Sequence, residues 1–226
     1  MIKAVFFDLD DTLVDSLKLH LKANRLAFEK FGYNYDLIQE RTKKIDFMGR
    51  RVSDNLIIKK KHSNISEKEL PAKKLIEARE EIFLKLVKNE TKIYPGVTNL
   101  LKKLKELNKI NAIISSGSKK YIELVLNKFQ IKKYIDFIIS GDQVSRGKPD
   151  PECYERAYQY LNNNLDKFEK QECLVVEDTE NGVIAANKAG LKILLIPSKY
   201  STLPKTIKPD YQLKSLEQFD TAIYLA

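Results

Sequence analysis

The spacing of hydrophobic positions changes twice along the chain. Residues 2–7, Ile-Lys-Ala-Val-Phe-Phe, are rich in β formers and are cut off by acidic residues, which predicts a buried strand. From Ser16 to about Asn89 the spacing turns helical. Leu17, Leu21, Phe28 and Phe31 mark one apolar face, and Leu75, Ile82 and Leu86 mark another. Ser66 and Glu69 have the spacing of a capping box, but Pro71 leaves the start of that helix open by a turn. Past Ile93-Tyr94-Pro95-Gly96, strand and helix alternate. Val97, Leu100, Leu101, Leu104 and Leu107 predict a helix, Asn111 to Ile114 a strand, and Ile122, Val125, Leu126 and Phe129 the next helix. Phe137 to Ile139 reads as a strand, and a helix follows Pro151. Strand Cys173–Val176, helix Asn181–Ala189 and strand Ile193–Ile196 complete the series.

Repeated β-α-β units predict an α/β fold, a doubly wound parallel sheet with helices on both faces. The first strand must join that sheet, because a lone strand is not stable by itself. The expected organisation is a core of residues 1–14 and 93–226, with 15–92 inserted after the first strand as a small α-helical domain.

Composition narrows the class. Of the 226 residues 43% are hydrophobic and 31% charged, a balance that fits a globular chain and excludes a disordered one. No apolar run exceeds five residues, against the roughly 20 needed to span a bilayer, and the N-terminus enters a strand without a secretory segment. Cys153 and Cys173 form no C-x-x-C pair, so neither a disulfide framework nor a zinc site is expected, and a reducing cytoplasm suits them. The net charge of +9 is concentrated in residues 15–92, which hold 19 Lys and Arg against 12 Asp and Glu. Lysine-rich solvated helix faces account for it, and the resulting field draws in small anions. Basic clusters without aromatic platforms argue against a nucleic-acid-binding module.

In a doubly wound sheet, ligands bind beyond the carboxyl ends of the strands. Those ends carry Asp8-Leu9-Asp10-Asp11-Thr12, Ser115-Ser116-Gly117, the stretch Gly141 to Pro149 containing Lys148, and Glu177-Asp178. Each has an ordinary structural explanation on its own: a turn, an N-cap, a rigid proline turn, acids at a helix start. Together they set carboxylates, small hydroxyls and one lysine on a single edge. Clustered carboxylates repel one another unless a cation sits among them, and oxygen ligands suit a hard ion, Mg²⁺ first. A cation, a lysine and backbone N–H groups beside a serine leave space for a group with several negative oxygens. Phosphate is the natural candidate.

This constellation resembles the haloacid dehalogenase superfamily, in particular its phosphatases and phosphomutases with a helical cap. Asp8-Leu9-Asp10-Asp11-Thr12 resembles the D-x-D-x-T motif, and Ile113-Ile114-Ser115-Ser116-Gly117-Ser118 the apolar strand closed by a hydroxyl, with Ser116 as the motif residue. Lys148 in Gly147-Lys148-Pro149-Asp150-Pro151 and Glu177-Asp178-Thr179-Glu180-Asn181-Gly182 match the remaining two. The resemblance implies that Asp8 is the nucleophile, forming an aspartyl-phosphate, and that Asp10 is general acid and then base. It implies Mg²⁺ held by Asp8, the Asp10 main-chain carbonyl, Asp178 and Glu177, the last directly or through water. Leu9, Asp10, Ser116, Gly117 and Lys148 are the implied phosphate contacts, and Thr12 steadies the Asp10 loop. Residues 15–92 correspond to the helical cap, where His20, Arg50 and Arg51 are the candidates for substrate specificity. The expected activity is Mg²⁺-dependent hydrolysis of a small phosphate monoester, a sugar phosphate or similar metabolite, by a cytoplasmic monomer or weak dimer.

Two alternatives share parts of this pattern. A β-phosphoglucomutase-like enzyme has the same four motifs and a histidine like His20, but passes its phosphoryl group to a sugar hydroxyl. The Arg50-Arg51 placement and the lack of further matches to sugar-binding positions favour the phosphatase. A receiver-type phospho-acceptor also uses clustered aspartates, a hydroxyl and a lysine, but has no use for a helical insertion of this size.

Overall fold

Ala4–Phe7 forms β1, with every residue buried. Val5 and Phe7 face one apolar layer and Ala4 and Phe6 the other. A strand buried on both faces reads as a continuous hydrophobic run, which is why it was legible. The computed structural model describes residues 1–165, 167–198 and 207–225. The predicted core also includes positions 166, 199–206 and 226, which lie outside the described residues.

After β1 comes a two-residue strand, β2 (Val14–Asp15), and then the helices α1 (Leu17–Lys30), α2 (Tyr35–Thr42), α3 (Val52–His62) and α4 (Ala72–Glu90). β3 (Lys92–Ile93) pairs antiparallel with β2, so the outgoing and returning ends of the helical segment are stitched together. The remaining elements alternate: α5 (Val97–Glu106), β4 (Ile110–Ile114), α6 (Lys119–Lys128), β5 (Phe137–Ile139), α7 (Glu152–Asn164), β6 (Cys173–Glu177), α8 (Glu180–Lys188) and β7 (Lys192–Leu195). A short β8 (Tyr211–Gln212) and α9 (Thr221–Tyr224) end the described chain.

The main sheet has the order β5-β4-β1-β6-β7-β8, with every pair parallel. Residues of α5 and α6 cover one face and those of α7 and α8 the other, as the doubly wound reading requires. β1 lies between β4 and β6, and the order reverses around it, which opens a crevice at its carboxyl end. Phe7 pairs with Ile113 on one side and with Val176 on the other. The next residue of each strand is therefore Asp8, Ile114 or Glu177, level with one another across the sheet. Register alone brings the first and fourth motifs side by side.

The helical segment has its own apolar centre, built from Phe28, Tyr35, Ile38, Leu56, Ile65, Leu70 and Leu75. Its first helix departs from the predicted stripe. The buried face of α1 is Leu19, Ala23, Ala27 and Phe28, while Leu21 is 45% exposed. Leu17 and Leu21 instead line the cavity between this segment and the sheet edge. Their apolar character belongs to a cavity wall, a use that helical periodicity does not distinguish from core packing. Ser66 and Glu69 do form reciprocal hydrogen bonds, but they close a turn, and α4 begins at Ala72 after Pro71. Proline suits a helix start because no intrahelical N–H is lost there.

Candidate active site

Lys148 joins the two central carboxylates. Its Nζ donates to Asp8 Oδ1 and Glu177 Oε1, each at 2.6 Å, and to the Ile114 carbonyl at 3.2 Å. The lysine is 2% exposed, and its charge is offset within the site, not by water. Burial opposes the ammonium, but Asp8 and Glu177 outweigh it and raise the lysine pKa well above its usual value. Both Glu177 oxygens have protein partners. Oε1 also accepts from Tyr154 Oη at 2.6 Å, and Oε2 accepts from Thr179 Oγ1 at 3.2 Å and from the Asp178 N–H at 3.1 Å. Gly182 makes this placement possible, since a Cβ there would collide with the Glu177 carboxyl group. The glycine of the fourth motif is thus a space requirement.

Asp178 is the opposite case. It is 1% exposed, yet neither carboxylate oxygen has a hydrogen-bond partner among the described residues. A buried carboxylate without partners is costly. Asp8, Glu177 and Asp178 each offer an oxygen within 4.8 Å of the others. With Lys148 as the lysine among them, three carboxylates leave two negative charges uncompensated, and burial, followed by mutual repulsion, pushes Asp178 well above the ordinary carboxyl range. A hard divalent cation with oxygen ligands fits this set, in which Asp178 has both oxygens without a protein partner among the described residues. The Asp10 carboxylate is not part of the cluster.

The Asp10 side chain faces the helical segment. Oδ1 accepts from Ser16 Oγ at 2.6 Å, His20 Nε2 at 3.0 Å and Tyr121 Oη at 2.6 Å. Burial pushes this carboxyl up, but His20, Ser16 and Tyr121 outweigh it and hold the pKa at about 2. His20 is pinned from both sides. Arg79 donates to Nδ1 at 2.6 Å, and since a guanidinium is only a donor, the ring proton must sit on Nε2 and point at Asp10. Burial lowers the imidazole pKa, and Phe83 stacks on the ring with centroids 4.1 Å apart. His20, expected as a specificity residue, therefore stands directly on Asp10. Thr12 is 2% exposed, and its hydroxyl has no hydrogen-bond partner among the described residues. Beside it, Asp11 sits at φ 56°, and burial with the neighbouring Asp10 raises its pKa to about 7.

The hydroxyl loop carries both expected groups, in use. Ser116 Oγ donates to the Gly49 carbonyl at 2.7 Å, and the Gly117 N–H donates to Ser115 Oγ at 3.0 Å. The 46–51 loop is fastened to the core by further bonds: Asn181 Nδ2 donates to Met48 O at 2.7 Å, and Arg51 to Val144 O at 2.7 Å. Gly49 has φ +73° and leaves no room for a Cβ, which would lie 2.6 Å from Thr179 Oγ1. The two arginines separate here. Arg51 also forks onto Asp54 at 2.9 Å, so its guanidinium is spent on the loop and on the core. Arg50 keeps a buried Nε without a partner and lines a cavity of about 110 Å³ with Asp8, Asp10, Ser116 and Asp178. Leu9 is fully buried.

Ser16, Arg79, Tyr121 and Tyr154 were not expected from the sequence. The fold and these four converging loops define an α/β enzyme with a buried carboxylate–lysine centre beneath a helical segment. Residues 5–196 match the haloacid dehalogenase-like hydrolases, and the chain belongs to that family. It is 31% identical over 194 residues to a phosphorylated carbohydrates phosphatase of Thermotoga maritima, covering 84% of this chain and 83% of that one. Over 195 residues it is 31% identical to validoxylamine A 7′-phosphate phosphatase of Streptomyces hygroscopicus subsp. limoneus, covering 84% of each. The crystal structure of CbbY from Rhodobacter sphaeroides in complex with phosphate shares the fold, with a TM-score of 0.82 over 96% of both chains at 24% identity.

Proposed function

We propose that this hydrolase is a Mg²⁺-dependent phosphatase of a small phosphorylated metabolite, a sugar phosphate or similar, acting through an aspartyl-phosphate on Asp8. Two of the relatives above are named as phosphatases, one of phosphorylated carbohydrates and one of validoxylamine A 7′-phosphate. One observation of the chain itself carries the reading: Asp8, gripped at one oxygen by Lys148 at 2.6 Å, lies beside the unpartnered Asp178 carboxylate. A carboxylate attacks an anionic phosphate only where charge is neutralised. Asp8, Asp178, Glu177 and the Asp10 carbonyl would hold the Mg²⁺, which supplies that neutralisation when bound. Lys148 fixes the Asp8 carboxylate and offsets charge on the phosphoryl oxygens. Ser116 and the N–H groups of Leu9, Asp10 and Gly117 hold those oxygens, Ser116 exchanging its Gly49 partner for the phosphate. Asp10 protonates the departing oxygen and later takes the proton of the attacking water. Residues 15–92 act as a cap that shields the site from bulk water, and Arg50, which lines the cavity, meets the body of the substrate.

No helix among the described residues is long and apolar enough to cross a membrane, in keeping with a small dissolved substrate. The test is a panel of phosphorylated metabolites assayed for phosphate release. Release should be stoichiometric, require Mg²⁺ and stop in excess chelator. Full turnover in excess chelator would remove the metal assignment. A panel in which phosphate moves between hydroxyls faster than it is released would replace hydrolysis by a mutase reaction.

A further inference from the structure

The two oxygens of Asp10 are treated very differently. Oδ1 accepts from Ser16, His20 and Tyr121, whereas Oδ2 meets Ser115 Oγ at 3.5 Å, the long limit of a hydrogen bond. Of the three close donors, Ser16 and His20 stand at the entrance to the helical segment. Tyr121 comes from α6 in the core, the same body that carries Asp10.

The phenol is tightly fixed. Tyr121 is 1% exposed, and its ring packs against Phe83 with centroids 4.8 Å apart and edge-on to His20 at 6.0 Å. Its backbone N–H is held by Ser118 Oγ at 3.1 Å, the N-cap of α6. Buried tyrosines commonly find some acceptor for their hydroxyl. Here the acceptor is the group that the proposed reaction needs for proton transfer, and the bond is as short as any other made to it.

We propose that Tyr121 is a positioning residue for proton transfer by Asp10: its hydroxyl holds Oδ1 and thereby leaves Oδ2 to carry the proton to the leaving group. The proposal rests on the reading of Asp10 as general acid. In the first half-reaction the phosphorus–oxygen bond to the leaving group breaks as the bond to Asp8 forms. The negative charge of the bound phosphate beside Asp10 favours its protonated form over the carboxylate of the free site, and the proton on Oδ2 passes to the departing oxygen, leaving Asp10 as a carboxylate. Tyr121 keeps its own proton throughout. Its bond to Oδ1 survives both protonation states, because Oδ1 remains an acceptor in each. The water step reverses the transfer through the same oxygen.

The test compares kcat/KM for two esters in the wild type, Tyr121→Phe and Asp10→Asn. The phenolate of 4-nitrophenyl phosphate leaves without a proton, whereas the alkoxide of glycerol 2-phosphate needs one. Tyr121→Phe keeps the buried ring, and thermal unfolding checks that the fold is retained. It should lose about 10- to 100-fold on glycerol 2-phosphate and less than about 3-fold on 4-nitrophenyl phosphate. Asp10→Asn should show the same selectivity with a larger loss. Equal losses on both esters, or none, would overturn the proposal, since a merely structural tyrosine does not sense the leaving group. If Asp10→Asn is selective and Tyr121→Phe is not, the positioning role alone fails. If neither is selective, the reading of Asp10 as the acid fails with it.

Discussion

Asp8→Asn is expected to lower turnover by at least about 10⁴-fold while leaving the protein folded. The amide keeps the shape of the carboxylate but cannot form the acyl phosphate, so the covalent route closes. The fold should tolerate the change. Burial first, then Glu177 and Asp10, raise the Asp8 pKa well above the ordinary value against the pull of Lys148. An acid whose folded pKa is raised binds its proton more tightly when folded, so its ionised form costs stability as pH rises above the unfolded pKa. At neutral pH a neutral isostere removes that cost, and Lys148 keeps Glu177 as a partner at 2.6 Å. The melting temperature of Asp8→Asn should therefore equal or exceed that of the wild type. A variant retaining more than a few per cent of the wild-type rate would mean that another group attacks phosphorus.

Removing the lysine should have the opposite effect on stability. Lys148→Ala leaves Asp8 and Glu177 facing each other in a buried site, each having lost a 2.6 Å ion pair. Breaking a buried ion pair from one side costs about 3–5 kcal/mol, because an uncompensated charge is left behind. Turnover should be lost as well, since nothing then fixes Asp8 for attack. The stability deficit has a pH signature. Without the lysine, which pulls the Asp8 pKa down, that raised pKa rises further, so the penalty grows as pH climbs from the unfolded carboxyl range toward the folded value. It should shrink as pH falls through the raised folded Asp8 value toward the unfolded carboxyl range, where a protonated Asp8 needs no counter-charge. Denaturant unfolding of both proteins at acidic and neutral pH, in chelator, measures this difference. A deficit below about 1 kcal/mol that does not change with pH would place the lysine outside the charge balance of the site.

The sheet and the four loops at its carboxyl edge were legible because a parallel strand buried on both faces must be apolar and must stop where polar residues begin. Asp8, Glu177 and Asp178 lie at those stops and Lys148 in the longer loop after Ile139, and strand register brings two of the loops level. The support for Asp10 was not legible. Tyr121 reaches it across 111 positions of sequence, and on α6 it reads as one more apolar residue of a buried face. Arg79 is 1% exposed within the buried stripe of α4, where helical periodicity leads one to expect a hydrophobic side chain. It is tolerated there because Asn24, His20 and the Phe83 ring receive its guanidinium. The pairing of β2 with β3 spans two residues on each strand, too few for a period to show. Arg50 and Arg51 are equivalent in sequence, and only the neighbouring Asp54 and the Val144 carbonyl separate their roles.

The most direct measurement of the central claim is the covalent intermediate. With Asp10 replaced by Asn, breakdown of the aspartyl-phosphate loses its base, while 4-nitrophenyl phosphate still supplies a leaving group that departs unaided. Acid quenching of Asp10→Asn during turnover of that ester, followed by peptide mass spectrometry, should place one phosphoryl group on Asp8. Hydroxylamine should remove the label, and Asp8→Asn should abolish it. A phosphoryl group on another residue such as Ser116, or undiminished phosphate release from Asp8→Asn, would contradict the account.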